Sequence, residues 1–235
     1  MPKLLSPSYY NKKITNLINN YRQYGIIKSA NATNVDQSMY LFTQKQAMFI
    51  HIPKCAGVSL FESLFGDDSF GHHSIKVYKE AYGQKRLDKL YKFSIVREPA
   101  DRLLSAYNYL KKGGRGRPLD LRYQEILAPC QSLEEFVSEW LPRKEIQNFQ
   151  HFIPQSDFIY SSDEQLLVDD VFRFEELDSL IPTLKKKCPQ LVGTSVEEKL
   201  ARKNQMKKSA DIHLDDNIRQ QIKLHYATDY RLLNY

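Results

Sequence analysis

Short apolar runs alternate with longer amphipathic stretches along this chain. Four of the runs are too short and too sharply bounded to be helices, and they predict buried strands. Because helical patterns lie between them, we expect an α/β fold with a P-loop-like, mainly parallel sheet flanked by helices. Ligands of such sheets bind beyond the carboxyl ends of the strands. The predicted strands are AMFIHI (47–52), YKFSIV (91–96), DFIY (157–160) and DVFRF (170–174).

Local start and stop signals give the bounds of the predicted helices. Gly113 and Gly114 follow an amphipathic stretch that begins at Pro99, as expected at a helix C-terminus. Ser132 and Glu135 have the spacing of a capping box for a helix that runs through Trp140. The other predicted helices are a short one near 10–24, SLFESLF (59–65), about 74–84, a segment ending near 187, and the tail from about 215.

We interpret the chain as one domain with a polar lead-in. Residues 1–45 are rich in Asn, Lys and Tyr, and they predict the short helix near 10–24 followed by irregular chain. Residues 46–235 contain every predicted strand and show neither repeats nor a linker. A chain of 235 residues can bury most of its apolar surface without disulfides or metals. Its 15 Tyr and 12 Phe indicate an aromatic core, with some rings left for a ligand cleft.

The net charge indicates which kind of partner the protein binds, and the cysteines indicate its cellular compartment. A formal net charge of +6 favours anionic partners, but no zinc-ligand spacing or RNA-binding signature points to nucleic acid. The cysteines, Cys55, Cys130 and Cys188, are widely spaced and odd in number, which favours a reducing compartment. No run approaches the roughly 20 apolar residues that span a bilayer. We expect a cytoplasmic protein, the alternative being a luminal domain without its membrane anchor.

The first candidate site is the segment IHIPKCAGVSLFESL (50–64). A strand, a tight turn of small residues and a helix together present backbone N–H groups and a helix N-terminus to one point, which suits phosphate or sulfate. Lys54 adds a positive charge and Ser59 a hydroxyl. Lys54 precedes the turn glycine, Gly57, whereas the lysine of a nucleotide P-loop follows it. The alternative is an ordinary strand–turn–helix connection with a surface lysine.

The second candidate site is FSIVREPADRLLSAYNYL (93–110). Arg97 follows the predicted strand and offers a planar set of donors to an anion, with Ser105 as a hydroxyl partner on the next helix. Arg102 lies one turn before Ser105, where it would reach the same cleft or a surface carboxylate. Since both segments follow strands of one parallel sheet, we expect them to face one crevice. The alternative here is a salt-bridged strand end.

Together the two segments resemble the phosphosulfate and 3′-phosphate motifs of sulfotransferases that use 3′-phosphoadenosine-5′-phosphosulfate (PAPS). They are most similar to the carbohydrate-type family (sulfotransferase family 2 type), whose signatures have the form HIPKTAGTS and VRNPxDRxxSxY. The resemblance covers about residues 47–235. It includes, in order, GHHSIKVYKEAYG (71–83), NFQHFIPQSDFIY (148–160), VFRFEELDSL (171–180) and HYATDYRLLNY (225–235).

The resemblance implies a role for each matching residue. Lys54 and the following turn would bind the 5′-phosphosulfate, while Arg97 and Ser105 would hold the 3′-phosphate. Cys55 stands where the family usually has threonine or a small residue, and we interpret it as a tolerated small residue and not as a nucleophile. Val58 replaces the family's common threonine. RKNQMKKS (202–209) resembles a loop that covers the nucleotide, the alternative being a solvated basic loop. The implied donor ligands are Lys54, Cys55, Ala56, Gly57, Val58, Ser59, Arg97, Ser105, Asn204, Lys208 and Ser209, with Lys207 as a further candidate.

Histidines supply the candidate general base. An ordinary imidazole pKa of about 6.5 suits removal of a proton from an acceptor hydroxyl at neutral pH. The resemblance places the family histidine at His72, with His73 as the second choice. His51 lies within the first predicted strand, and we expect it to shape the turn. His151 and Gln155 are expected on the acceptor side, where Gln155 would position the sulfuryl group or a sugar.

The expected reaction is in-line transfer of a sulfuryl group from PAPS to a carbohydrate hydroxyl, including hydroxyls of acidic sugars. The second product would be 3′,5′-adenosine bisphosphate, and the sequence contains no cluster that predicts a metal. Two alternatives stay open. One is a P-loop kinase, although Arg97 follows the second strand where a magnesium-binding carboxylate is expected. The other is a non-catalytic protein that binds acidic saccharides on the same scaffold.

Overall fold

The computed structural model describes residues 34–66, 71–192 and 215–235. The helix expected near 10–24 lies outside these residues. The described chain divides into two compact units, which we call the sheet unit and the helical unit. The sheet unit comprises residues 34–52, 56–66, 71–96 and 157–192, and the helical unit comprises residues 53–55, 97–156 and 215–235.

Three parallel strands form the sheet of the sheet unit, in the order β1 (Ala47–Ile50), β2 (Tyr91–Val96) and β3 (Asp170–Arg173). The register pairs Phe49 with Phe93 and Ile95 with Phe172. All of β1 and the last four residues of β2 are buried, as expected for strands covered on both faces. The predicted α/β class with a parallel sheet is therefore confirmed, and three of the four predicted strands are present.

The strand predicted at DFIY (157–160) is wrong, because Ser156–Ile159 is a short helix. Tyr160 makes only an isolated antiparallel bridge with Leu166. The reason lies in the helical unit, where both carboxylate oxygens of Asp229 accept the backbone N–H groups of Gln155 and Ser156, each at 2.8 Å. A carboxylate at this place satisfies the N–H groups that open a helical turn, and a strand would need them for its ladder.

The irregular chain expected before residue 46 is also wrong in part, since Asn34–Lys45 is a helix. Phe42 is fully buried there, and its ring contacts those of Phe61, Phe65 and Tyr78 at centroid distances of 5.4–5.7 Å. Burial of this ring stabilises a helix whose composition is mostly polar. The sheet unit thus has the aromatic core that the Phe and Tyr content predicted.

The helical unit has an aromatic core of its own. Tyr107 contacts Phe136 at a centroid distance of 4.9 Å, and Phe136 contacts Phe152 at 5.2 Å. Gly113 and Gly114 end the helix that begins at Pro99, both with left-handed φ angles, as predicted. In chain order the helices of both units are α1 (Asn34–Lys45), α2 (Gly57–Phe65), α3 (Ile75–Tyr82), α4 (Gln84–Leu87), α5 (Pro99–Lys111), α6 (Pro118–Leu127), α7 (Leu133–Glu135), α8 (Lys144–Gln147), α9 (Ser156–Ile159), α10 (Leu180–Lys187), α11 (Asp216–His225) and α12 (Ala227–Leu233).

Four smaller observations complete the fold. The capping-box serine, Ser132, accepts the N–H of Glu135 at 3.1 Å, and the chain then continues as a π-helix over Phe136–Trp140. Two 3₁₀-helices, Phe174–Ser179 and Pro189–Leu191, flank α10. The three cysteines form no disulfide. Within the described ranges, no helix is both long enough and apolar enough to cross a membrane.

Candidate active site

The turn between β1 and α2 has the backbone of an anion site. Lys54 and Ala56 both have left-handed φ angles, 70° and 61°, which non-glycine residues adopt rarely and at a cost in free energy. A left-handed residue followed by a helical one directs successive N–H groups to one side, here those of Ala56, Gly57 and Val58. Ala56 has no polar side chain to cap α2. These backbone N–H groups are thus suited to oxygens of an anion.

Gly57 is required at the start of α2 because of His51. A Cβ atom on Gly57 would lie 1.9 Å from His51 Cδ2 and 2.1 Å from His51 Nε2. The His51 ring is 5% exposed and stacks on Phe49 at a centroid distance of 5.8 Å. His51 therefore packs against the backbone of the turn, which agrees with the expectation that it shapes the turn.

This packing predicts a strong coupling between Gly57 and His51. We expect Gly57→Ala to lower the free energy of unfolding by about 3 kcal/mol, because the added methyl group overlaps a buried ring. In urea unfolding, the double variant His51→Ala/Gly57→Ala should be more stable than the sum of the two single losses predicts, by about 1 kcal/mol or more. Val58→Ala, on an exposed side chain of the same helix, is the control and should change stability by less than about 0.5 kcal/mol. Additive losses would show that the two residues do not interact as described.

Lys54 belongs to the helical unit, and its side chain is half-buried. Burial, the largest cause, and the positive charge of Arg97 lower the pKa of Lys54, Asp120 and Cys55 raise it, and the result is a pKa of about 8. Lys54 Nζ lies 3.9 Å from the centroid of the Tyr109 ring. Lys54 and Arg97 repel each other where little water screens their charges. An anion bound between or beside them would be stabilised by both.

Gln155 joins the two candidate segments within the helical unit. Its amide accepts the Arg97 N–H at 2.9 Å and donates to the Arg97 carbonyl at 2.7 Å, and the Cys55 thiol donates to the same amide oxygen at 3.4 Å. Gln155 is fully buried, and Asp229 accepts its backbone N–H. In this structure Gln155 thus holds the peptide groups of Arg97, and its expected contact with the acceptor stays a prediction.

Arg97, Arg102 and Ser105 lie at the beginning of α5 or immediately before it. The Arg97 side chain is 8% exposed and Ser105 is half-buried. Arg102 is 1% exposed, and its Nε donates to the carbonyl of Pro53 at 3.1 Å, so the alternative of a surface carboxylate partner is wrong. Since a trans peptide directs its C=O and N–H to opposite sides, this bond turns the Lys54 N–H away from Arg102.

His72 and His73 point to different neighbours in the sheet unit. His72 Nδ1 lies 3.2 Å from the carbonyl oxygen of His51, and the two rings are 4.3 Å apart. Because a carbonyl only accepts, this contact assigns the proton to Nδ1 and leaves Nε2 as the proton-accepting nitrogen. The His73 ring instead covers Gly71 and lies edge-on to Tyr78 at 6.0 Å. The two adjacent histidines therefore differ in their contacts, and the role of either one as a base stays a prediction.

His151 is buried and stacks with two rings, that of Tyr109 at 5.4 Å and that of Phe149 at 4.9 Å. Its expected acceptor contact stays a prediction. Sequence reasoning did not single out Tyr109 or Asp120, although both affect Lys54. The spacing of Tyr109 from Ser105 was a usable signal, since residues four apart share one helix face.

The described structure brings part of the candidate set together. Lys54, Cys55, Arg97, Ser105, His151 and Gln155 share the helical unit, whereas Gly57, Val58, Ser59, His72 and His73 share the sheet unit. Asn204, Lys207, Lys208 and Ser209 lie outside the described residues. Among those that are described, no group of three or more His, Cys, Asp or Glu side chains has an arrangement that could hold a metal ion.

The sheet unit thus contains a parallel α/β sheet with an N–H-lined turn after its first strand, and the helical unit contains a neighbouring lysine and arginine. Comparison with protein families identifies the kind of protein. The model of the sulfotransferase family matches residues 26–235, so the chain belongs to the sulfotransferase family. The domain is thus that of an enzyme that transfers sulfuryl groups. Searches of curated proteins and of solved structures found no match.

Proposed function

We propose that the protein transfers the sulfuryl group of PAPS to a carbohydrate hydroxyl, with His72 as the general base. The observation that supports the donor most directly is the pair of neighbouring cations, half-buried Lys54 and buried Arg97. Burial and the neighbouring arginine charge both lower the pKa of Lys54, so binding of a polyanion would relieve an existing repulsion. A donor with a 5′-phosphosulfate and a 3′-phosphate supplies charges for both residues.

The residues divide the chemical task. Lys54 and the N–H groups of Ala56, Gly57 and Val58 would stabilise the negative charge that appears on the 5′-phosphate as its bond to sulfur breaks. The acceptor oxygen forms the new bond to sulfur and gives its proton to His72 Nε2. The products are the sulfated acceptor and 3′,5′-adenosine bisphosphate. The protein therefore contributes mainly alignment and charge stabilisation.

A carbohydrate acceptor, including an acidic one, agrees with the surface chemistry. Arg115 and Arg117 are exposed in the glycine-rich loop 113–117, and the chain has a net charge of +6. Arginine pairs well with the carboxylate or sulfate groups of acidic sugars. A panel of neutral and acidic glycans with labelled PAPS would identify the acceptor, and labelling of none of them would contradict a carbohydrate acceptor.

The decisive test separates three classes of protein. We expect 3′,5′-adenosine bisphosphate to bind in EDTA as well as in magnesium, and labelled sulfate to be transferred from PAPS. A kinase would instead bind ATP with magnesium and transfer phosphate from it. A saccharide-binding protein would bind glycans without turnover of PAPS. Either of the last two results would overturn the proposal.

Binding of the 3′-phosphate by Arg97 and Ser105 can be tested separately. If they hold the 3′-phosphate, Arg97→Ala should weaken 3′,5′-adenosine bisphosphate by about 10–100-fold, and Ser105→Ala should weaken it by about 5–10-fold. Both should change the affinity for 5′-AMP by less than about threefold, because 5′-AMP lacks that phosphate. Calorimetry would measure this, with Arg143→Ala and Ser138→Ala as controls on exposed side chains of the same unit. Equal losses for both nucleotides would assign the two residues to another part of the ligand.

A further inference from the structure

A column of stacked rings lies beneath Lys54 in the helical unit. The Lys54 ammonium is 3.9 Å from the centroid of Tyr109, which stacks on His151 at 5.4 Å with an interplanar angle of 19°. His151 stacks on Phe149, and Phe149 on Tyr123. Phe149 and His151 are almost fully buried. The Tyr109 ring therefore contacts both this stack and the lysine.

The hydroxyl group of Tyr109 is bound as well. It donates to Asp120 Oδ2 at 2.9 Å, and the same oxygen accepts the backbone N–H of Arg115 at 3.1 Å. Burial and this hydrogen bond raise the pKa of Tyr109 to about 12, so the hydroxyl stays protonated and continues to donate. Asp120 is 5% exposed. Its carboxylate thus connects Tyr109 to the glycine-rich loop 113–117.

Gly114 permits this connection. A Cβ on Gly114 would lie 2.6–2.7 Å from three atoms of the Asp120 side chain, and Gly114 has a left-handed φ of 59°. Any other residue there would displace the carboxylate or strain the turn. The Asp120 carboxylate therefore contacts both the loop 113–117 and the Tyr109 hydroxyl, and the Tyr109 ring in turn contacts Lys54.

A lysine needs contacts of this kind if its ammonium group must be held in a fixed position. Its side chain has four rotatable bonds and a compact ammonium that tolerates many orientations. An aromatic face attracts the ammonium without neutralising it, so the charge stays available to an anion. Asp120 adds a favourable charge and raises the pKa of Lys54, which opposes the effect of Arg97.

We propose that Tyr109 and Asp120 are positioning residues for Lys54, and that they couple its ammonium group to the glycine-rich loop 113–117. The Tyr109 ring determines where the ammonium lies, and Asp120 keeps the ring and the loop in register. The proposal rests on the function proposed above, in which Lys54 stabilises the leaving phosphate. Its consequence is that a substitution in the loop 113–117 changes the position of the Lys54 ammonium without contacting the donor.

The test measures Lys54 itself before it measures activity. The amine would be acylated with acetic anhydride over a range of pH, and the modified Lys54 peptide quantified by mass spectrometry. In the wild-type protein the midpoint should lie near pH 8. Asp120→Asn should move the midpoint down, because a favourable negative charge is lost. Tyr109→Leu should also move it down, because the attraction of the ring for the ammonium is lost.

Kinetics provide the second readout. We expect Tyr109→Leu to lower kcat by about 10-fold with less than a threefold change in the KM for PAPS, since misplacing a charged group affects the transition state most. Tyr109→Phe retains the ring but removes its hydrogen bond to Asp120, so its kcat should fall by less than that of Tyr109→Leu. Tyr123→Phe is the matched control at the other end of the stack, where the hydroxyl donates to the Glu145 carbonyl. Circular dichroism would establish that each variant is folded.

The outcomes of these experiments distinguish a failure of the positioning role from a failure of the proposed function. If Tyr109→Leu and Asp120→Asn both leave the Lys54 midpoint unchanged, the positioning role is overturned, whatever donor the enzyme uses. If Tyr109→Leu proves unfolded, the downward shift in Asp120→Asn and the kcat of Tyr109→Phe decide the matter. If the midpoints move as expected but PAPS is not a donor, the positioning of Lys54 is supported and the proposed function is contradicted.

Discussion

We expect His72→Ala to lower kcat by about 10²–10⁴-fold, the usual contribution of a general base. The contact between His72 Nδ1 and the His51 carbonyl is the physical reason, because it fixes the tautomer whose Nε2 accepts a proton. The affinity for 3′,5′-adenosine bisphosphate should change by less than about twofold, since the base contacts the acceptor in the proposed mechanism. Sulfate-transfer kinetics and calorimetry would measure the two effects.

His73→Ala is the matched control, because its ring is adjacent in sequence but packs on Gly71 and Tyr78. Its activity should stay within about fivefold of wild type. The reverse pattern, with His73 essential and His72 dispensable, would move the role by one residue and leave the reaction class intact. Full activity in both variants would remove histidine from this role, and Glu62 on α2 would be the next candidate.

The second large effect is expected at Lys54. Lys54→Ala should lower kcat by about 10²-fold or more, as is usual when a group that stabilises transition-state charge is removed. Lys112→Ala, on an exposed lysine at the end of α5, is the control and should leave turnover unchanged. A kcat near that of the wild type in Lys54→Ala would exclude Lys54 from the mechanism.

The pH dependence gives an independent check of the same residue. With a pKa of about 8, Lys54 is charged at neutral pH and loses its proton as the pH rises through 8. Since kcat/KM reports on the unliganded enzyme, it should fall as the pH rises through that range. Lys54→Arg should abolish this fall, because a guanidinium stays charged, although its different shape would reduce the rate. A rate that is constant from pH 7 to 9.5 would contradict a requirement for the Lys54 charge.

Most of the sheet and both donor motifs could be predicted from the sequence because their signals are local. AMFI and YKFSIV are short, apolar and bounded, so only a buried strand satisfies them. A turn of small residues between such a strand and a helix leaves backbone N–H groups available, and this identified the region of Lys54 and Gly57. Likewise, Gly113 and Gly114 ended α5 because a left-handed backbone is favourable at glycine.

The errors occurred where a distant residue decides the local structure. DFIY has the composition of a strand, but Asp229, more than 70 residues away, accepts the N–H groups of Gln155 and Ser156 and favours a helical turn. The chain at 34–45 is polar enough to suggest an irregular lead-in. Phe42, buried against rings from α2 and α3, makes it a helix.

By itself, the sequence determined the α/β class, the position of the anion-binding turn and the residue types available to it, since these depend on short-range pattern and backbone preference. Only the tertiary structure decided what each side chain does. It placed Gln155 on the Arg97 peptide, directed His72 and His73 to different neighbours, and brought Tyr109 beneath Lys54. Contacts of this kind join residues that are remote in sequence, and packing and desolvation, which determine them, have no local signature.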